Sequence, residues 1–362
     1  MRCLMVKRCV PWALRRLLLP ATLFLLLLLL LAVMSAGRIE EWALSPSGRV
    51  ALRVTRPASI HAASLKARAP SLYRVVNPTA CAGHPVFLLV WVVSKPAHQE
   101  QRQAIRATWG LAGQVRGRRV RTLFALGLPA TPQESQLIDQ EAQRYGDVVQ
   151  GRFADTYLNL TLKTLMVLRW ATTYCPTARF LLKSDDDVFI NLPALVEHLS
   201  HRDAAFQDLY LGRVHSNVPV DRDPSSLSYV SESAYPGRTF PPYCSGTAYV
   251  LSADVAHKVY VAARSMPLLN IEDVFVGICA AKVGVFPTPT CRMSGSHRIY
   301  LHYCCYKHIF SSHHMAPAEL RVLWALVNNQ ADCWLLQKYA ALLLCNSLQL
   351  LDQARYLWQH FT

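Results

Sequence analysis

Three consecutive carboxylates, Asp185, Asp186 and Asp187, stand between a largely apolar run at residues 178–184 and a second at 188–190. The first run reads as a buried strand, so the triplet falls at a strand's carboxyl end, where open α/β sheets put their ligands. Unpaired acids there repel one another and carry a desolvation penalty that a divalent cation relieves. In an extended segment Asp185 and Asp187 point the same way, and oxygen ligands of this kind select magnesium or manganese. The plain alternative for the triplet is a solvated acidic turn.

Other residues add to that chemistry. Glu272 and Asp273 precede the apolar run 274–277, and one of them can serve as a general base toward a hydroxyl or simply stabilise a helix start. Arg102 and Arg106 lie four apart, on one helix face, and offer a contact for a nucleotide diphosphate, as do Lys163 and Lys183. Lys183 also tempers the triplet's repulsion. His297, His302, His308, His313 and His314 crowd the last third of the chain, and spacing alone does not choose a metal ligand among them.

The elements that must position these groups alternate. Strand-like runs at 86–93, 120–126 and 147–150, and the run that ends in the triplet, are separated by helical stretches at 98–108, 133–145 and 160–174. This is the pattern of a mostly parallel sheet covered on both faces. Later, 243–251 reads as a strand, 253–264 as a helix, 270–282 as a loop entering a helix, and 333–358 as an amphipathic helix packed on the domain.

Ahead of all this, residues 17–34 form an unbroken apolar run long enough to cross a bilayer. Arg2, Lys7, Arg8, Arg15 and Arg16 precede it without an acid, which predicts a short cytoplasmic end and a luminal remainder. A cleaved signal peptide is the rival reading, but the run exceeds the usual length. The expected organisation is a tail at 1–16, a signal-anchor at 17–36, a proline-punctuated stem at 37–80 and one luminal domain at 81–362. Formal charge is +15, which suits anionic partners. Nucleic acid is not the expected partner, because a translocated domain does not meet it and no interleaved basic and aromatic motif is present. Nine cysteines follow the anchor, so most should pair in an oxidising lumen, and the absence of C-x-x-C argues against structural zinc. Asn159-Leu160-Thr161 is an N-glycosylation acceptor triplet.

In order, the stretches RQAIRATWG, LFALG, GDVVQGRFADTYLNLTLKTL, CPTARFLLKSDDDVFIN, YCSGTAYVLS, EDVFVG and HHMAPAELRVLW resemble the inverting β1,3-glycosyltransferases of the Golgi, over about residues 86–324. The resemblance implies a GT-A fold, a UDP-sugar donor, manganese or magnesium, a glycan acceptor on glycoprotein or glycolipid, and Golgi type II membrane placement, with a homodimer allowed. It assigns Asp185, Asp186 and Asp187 to metal and diphosphate with Asp187 the direct ligand, Asp273 to the base with Glu272 beside it, and His313 to the metal, His314 being its neighbour. Met315 and Ala316 depart from the basic residues usual before Pro317. Galactose is the expected sugar, with N-acetylglucosamine transfer or a non-catalytic glycan-binding or chaperone relative as alternatives. A metal-dependent phosphatase or nuclease would need more acids than the chain brings together.

Overall fold

A computed structural model describes residues 72–329, apart from 112, 202–206 and 300, together with Cys333, Trp334, Gln337 and Cys345. The expected tail and anchor, nearly all of the stem and most of the 333–358 helix lie outside the described residues. Among the described residues, no helix is long and apolar enough to cross a membrane.

The first half of the domain runs β1 (Tyr73–Val75), β2 (Leu88–Val93), α1 (Gln99–Arg106), β3 (Gln114–Val115), β4 (Arg118–Leu128), α2 (Pro132–Tyr145), β5 (Val148–Ala154), α3 (Leu160–Tyr174) and β6 (Phe180–Asp185). The second half runs β7 (Phe189–Ile190), α4 (Leu192–His201), β8 (Tyr210–His215), β9 (Tyr243–Ser252), α5 (Ala253–Ala263), α6 (Glu272–Lys282), β10 (Thr288–Pro289), α7 (Tyr303–Tyr306), β11 (Ser311–Ser312) and α8 (Pro317–Asn329).

One sheet orders its strands β1-β5-β4-β2-β6-β9-β8-β10. Strands β5, β4, β2 and β6 are parallel, as their alternation with helices requires, while β9 runs antiparallel between β6 and β8. The chain builds outward from β2 through β4 to β5, then returns to lay β6 on the other side of β2. That reversal is a topological switch point, and the loops after β2 and β6 flank the crevice it opens.

Strand β2 is buried on both faces. Leu89 and Trp91 join one apolar cluster and Leu88, Val90 and Val92 the other, as the two-residue period of a strand dictates. Trp91 meets Trp170 of α3 edge to face, with ring centroids 5.1 Å apart; truncating either to Ala would cost about 3–5 kcal/mol. Helix α2 shows how local chemistry sets a boundary. Thr131 caps it by accepting from Glu134 N, Pro132 opens it, and Gly146 at φ +59° closes it in the left-handed region.

Three disulfides form: Cys81–Cys175, Cys304–Cys333 and Cys305–Cys345. Cys244 and Cys279 remain buried thiols, so pairing extends to most of the nine cysteines after residue 37, as expected.

Candidate active site

Strand β6 ends at Asp185, and the chain turns through Asp186 and Asp187 before β7. The three carboxylates therefore part company, which the extended-segment expectation did not foresee. Asp185 Oδ1 accepts from Lys183 Nζ at 2.6 Å. Asp186 turns into the switch-point crevice, where its Oδ2 accepts from Ser94 Oγ at 2.6 Å and lies 2.9 Å from His98 Nδ1. Asp187 faces the histidines.

Register explains that last meeting. β11 pairs antiparallel with β7, Ser312 opposite Phe189, so the residues just after β11 run back past those just before β7. His313 Nε2 lies 3.2 Å and His314 Nδ1 3.9 Å from Asp187 Oδ2. The two rings stack with centroids 3.9 Å apart. His314 sits at φ +59°, a strained conformation for a residue with a Cβ, and its Nε2 lies 2.8 Å from Ser296 O. Burial works to raise the Asp187 carboxyl, but the hydrogen bond and charge of His313 outweigh it and hold the group below its ordinary value. The imidazole of His313 is raised in turn: burial opposes ionisation, and Asp187 overcomes it. Among the described residues, Asp187, His313 and His314 bring three potential ligand atoms within 4.8 Å of one another. One carboxylate oxygen with imidazole nitrogens suits a divalent transition-metal ion such as manganese better than magnesium, which prefers oxygen ligands alone. Asp185, also expected as a ligand, has one oxygen on Lys183 and stands outside this three-residue cluster.

The second acidic pair opens α6. Buried Glu272 accepts from Tyr249 OH at 2.7 Å and Thr164 Oγ1 at 2.9 Å, both on Oε1. Asp273 accepts from Gly246 N on Oδ2 and Val274 N on Oδ1, each at 2.9 Å. Desolvation, then the neighbouring Glu272 charge, push the Asp273 carboxyl up to about 6, against the pull of those two backbone donors. A carboxylate poised there is tuned for base catalysis near neutrality. A Cβ at Gly246 would lie 3.3 Å from Asp273 Oδ2, tight enough to push that carboxylate by a few tenths of an ångström, so glycine lets it approach undisturbed.

The two acidic groups share one wall. Lys183 Nζ bonds Asp185, donates to Gly246 O, and lies 3.7 Å from Glu272 Oε2. Burial disfavours its charge, yet Asp185 and Glu272 outweigh that and raise it. Strand β9 makes the second link: Gly246 holds Asp273, while Thr247 Oγ1 donates to Ser294 O, two residues before the Ser296 carbonyl beside His314.

Arg102, Arg106 and Lys163 correct the expectation of diphosphate contacts. Arg102 is 1% exposed, and its guanidinium is spent on Glu141, Ser94 Oγ and the carbonyls of Lys95 and Pro96. Arg106 pairs with Glu141 at 2.7 Å and Asp147 at 2.8 Å. Lys163 is buried against Ser94 O and Asp155. These cations brace the loop after β2 and its surroundings. Asn159 Nδ2 donates to Ala154 O, and buried Thr161 donates to Leu269 O at 2.6 Å, so both polar residues of the acceptor triplet have structural partners. Ser94, His98, Thr164, Gly246 and Tyr249 were not foreseen. Ser94 and His98 had one signal, their place just after the central strand β2.

A candidate cation site and a base-tuned carboxylate on the carboxyl edge of a mostly parallel sheet are the equipment of a metal-assisted group transferase. The profile described as Galactosyltransferase matches residues 100–290. The chain is 38% identical over 288 residues to human beta-1,3-galactosyltransferase 9, covering 80% of this chain and 78% of that one. It is 40% identical over 314 residues to rat beta-1,3-galactosyltransferase 4, covering 77% and 84%. It is also 42% identical over 262 residues to human lactosylceramide 1,3-N-acetyl-beta-D-glucosaminyltransferase, covering 70% and 68%. The chain belongs to the galactosyltransferase family and is a hexosyltransferase.

Proposed function

We propose that this protein is an inverting β1,3-galactosyltransferase of GT-A type, taking galactose from a UDP-sugar to a hydroxyl of a glycan acceptor. It would act as a type II membrane protein of the Golgi with its domain in the lumen, anchored through residues 17–36. The observation that carries the reading is Asp273: a carboxyl raised to about 6 and held by Gly246 N, whose own carbonyl accepts from the Lys183 ammonium that also bonds Asp185 of the acidic triplet.

Asp273 takes the proton of the acceptor hydroxyl as that oxygen attacks the anomeric carbon from the face opposite UDP, which turns an α-linked donor into a β-linked product. The backbone N–H groups of Gly246 and Val274 fix both carboxylate oxygens and leave each a lone pair for the proton. Glu272, held by Tyr249 and Thr164, keeps Asp273 basic through its charge. Asp187 and His313 would hold a divalent ion, with His314 beside them; bound there, it supplies Lewis-acid neutralisation of the diphosphate. Lys183 keeps the two acidic groups from repelling each other apart. The persistence of Asp187 and Asp273 argues against a non-catalytic relative.

The test is donor profiling by UDP release, comparing UDP-galactose with UDP-N-acetylglucosamine and UDP-N-acetylgalactosamine over a panel of glycan acceptors, with manganese and with a chelator. Manganese-dependent release with UDP-galactose is expected. A preference for UDP-N-acetylglucosamine would move the chain to the neighbouring activity, and chelator-resistant turnover would refute the metal assignment.

A further inference from the structure

Two helix faces meet over a cavity of about 230 Å³ that takes no part in the site described above. On α3, Leu162, Leu165, Met166 and Arg169 recur at intervals of three and four and so share one face, while Thr164, which holds Glu272, points elsewhere. Tyr260 of α5 and Arg264, the residue that ends it, stand four apart and face the same space. Arg152 and Phe153 of β5 close the third side. The floor is apolar: Leu165 and Met166 are buried, and Phe153 and Tyr260 lie half-buried on the same core cluster. The rim is cationic. Arg152 Nε donates to Tyr73 O at 3.0 Å, and among the described residues no carboxylate pairs with Arg152 or Arg264. Burial raises the Tyr73 hydroxyl and the charge of Arg169 pulls against it, so the third guanidinium also acts on this wall. No acid lines the cavity.

We propose that this cavity binds a small anionic amphiphile, its carboxylate, sulfate or phosphate ester head held by Arg152, Arg169 and Arg264 and its short hydrocarbon body lying on Phe153, Leu165 and Tyr260. The proposal goes beyond the transferase reading and stands without it. Elsewhere in the domain sheltered arginines are matched by acids, Arg102 and Arg106 by Glu141 and Arg74 by Asp139. Three guanidiniums around one space without an acid repel one another, and an anion relieves that cost. Their planar forks suit paired carboxylate or phosphate oxygens. Apolar walls with a few convergent polar groups are the pattern of small-molecule sites, and the volume falls below the roughly 300–1,000 Å³ of drug-sized pockets, so the body is a short chain or a single ring. A free phosphate would leave the floor uncovered. A sugar would turn its hydroxyls onto leucine and phenylalanine, which offer them no hydrogen bond.

The experiment titrates the full-length chain, held in phosphatidylcholine nanodiscs with empty discs as the blank, with octyl phosphate below its micelle concentration. Inorganic phosphate tests the head alone and octanol the body alone. A single site is expected that prefers octyl phosphate to either control by at least about tenfold. Arg152→Glu and Arg264→Glu, both at exposed positions, should each weaken it by at least about tenfold while Tm and UDP release hold, and Arg264→Lys, which keeps the charge but not the fork, should lose less. Repeating the titration with phosphatidate in the discs separates two sources of the same chemistry: competition makes the occupant a bilayer lipid, no competition makes it a soluble molecule, and octyl phosphate binding upholds the site in both cases. Equal affinity for inorganic phosphate or for octanol would overturn the proposal, as would undiminished binding in both glutamate variants. Displacement by UDP with manganese would also overturn it, by moving the ligand to the donor site. None of these results bears on the transferase reading.

Discussion

The two halves of the site are built to different standards. On the base side, Glu272 and Asp273 are held by backbone and side-chain donors from β9, α3 and α6 itself, so their positions are set before any substrate arrives. On the cation side, Asp187, His313 and His314 lean chiefly on one another across a two-strand ribbon, and His314 occupies a strained backbone conformation. The contrast separates two chemical needs. A base must be rigid and correctly tuned in advance, whereas ligand atoms that face one another are pulled into final order by the ion they receive.

The comparison can be broken most decisively at Asp273. Asp273→Asn keeps the shape and removes the base, so transfer should fall by about 10⁴-fold while UDP binding, read by calorimetry, survives; loss of both would make Asp273 a support of the fold. Asp187→Ala should lower turnover by about 10³-fold and weaken manganese binding, with Asp273's pH response intact. His313→Ala should weaken manganese binding by about 10–100-fold, and His314→Ala by distinctly less, because His314 is the more distant from Asp187 and is engaged with Ser296. Equal losses would spread the ligand role over both rings.

The smallest effect is a shift in pH. The base works only when deprotonated, so kcat/KM should fall as pH drops through about 6, where the Asp273 carboxyl takes its proton. Glu272→Gln removes a neighbouring negative charge that raises this group, so the acid limb of the profile should move to lower pH. An unmoved limb would assign it to another residue.

Much of this arrangement was legible in the chain. Strands β2 and β6 announce themselves as apolar runs followed by polar loops, and the acidic triplet marks the ligand edge without any knowledge of the sheet. The divergence of Asp185, Asp186 and Asp187 was not readable, because it depends on where β6 stops by a single residue. Nor was the fate of Arg102 and Arg106. Their four-residue spacing fits an anion-binding face as well as a buried pair, and the deciding partner, Glu141, lies 39 residues from Arg102. Short edge strands such as β10 and the β7–β11 ribbon carry no periodicity of their own and exist only by pairing. That ribbon selects the histidines, which explains why the histidine-rich stretch could not choose its own ligand.

Cys304 and Cys305 sit side by side at the foot of the segment that rises to His313, and each is fastened to a position further along the chain, Cys333 and Cys345. Two neighbouring covalent moorings brace the base of that ascending segment, so the grip on a cation becomes hostage to the thiol chemistry of the compartment where the chain matures. Material produced in a reducing cytosol would lose these moorings along with Cys81–Cys175, and its hold on a cation would slacken.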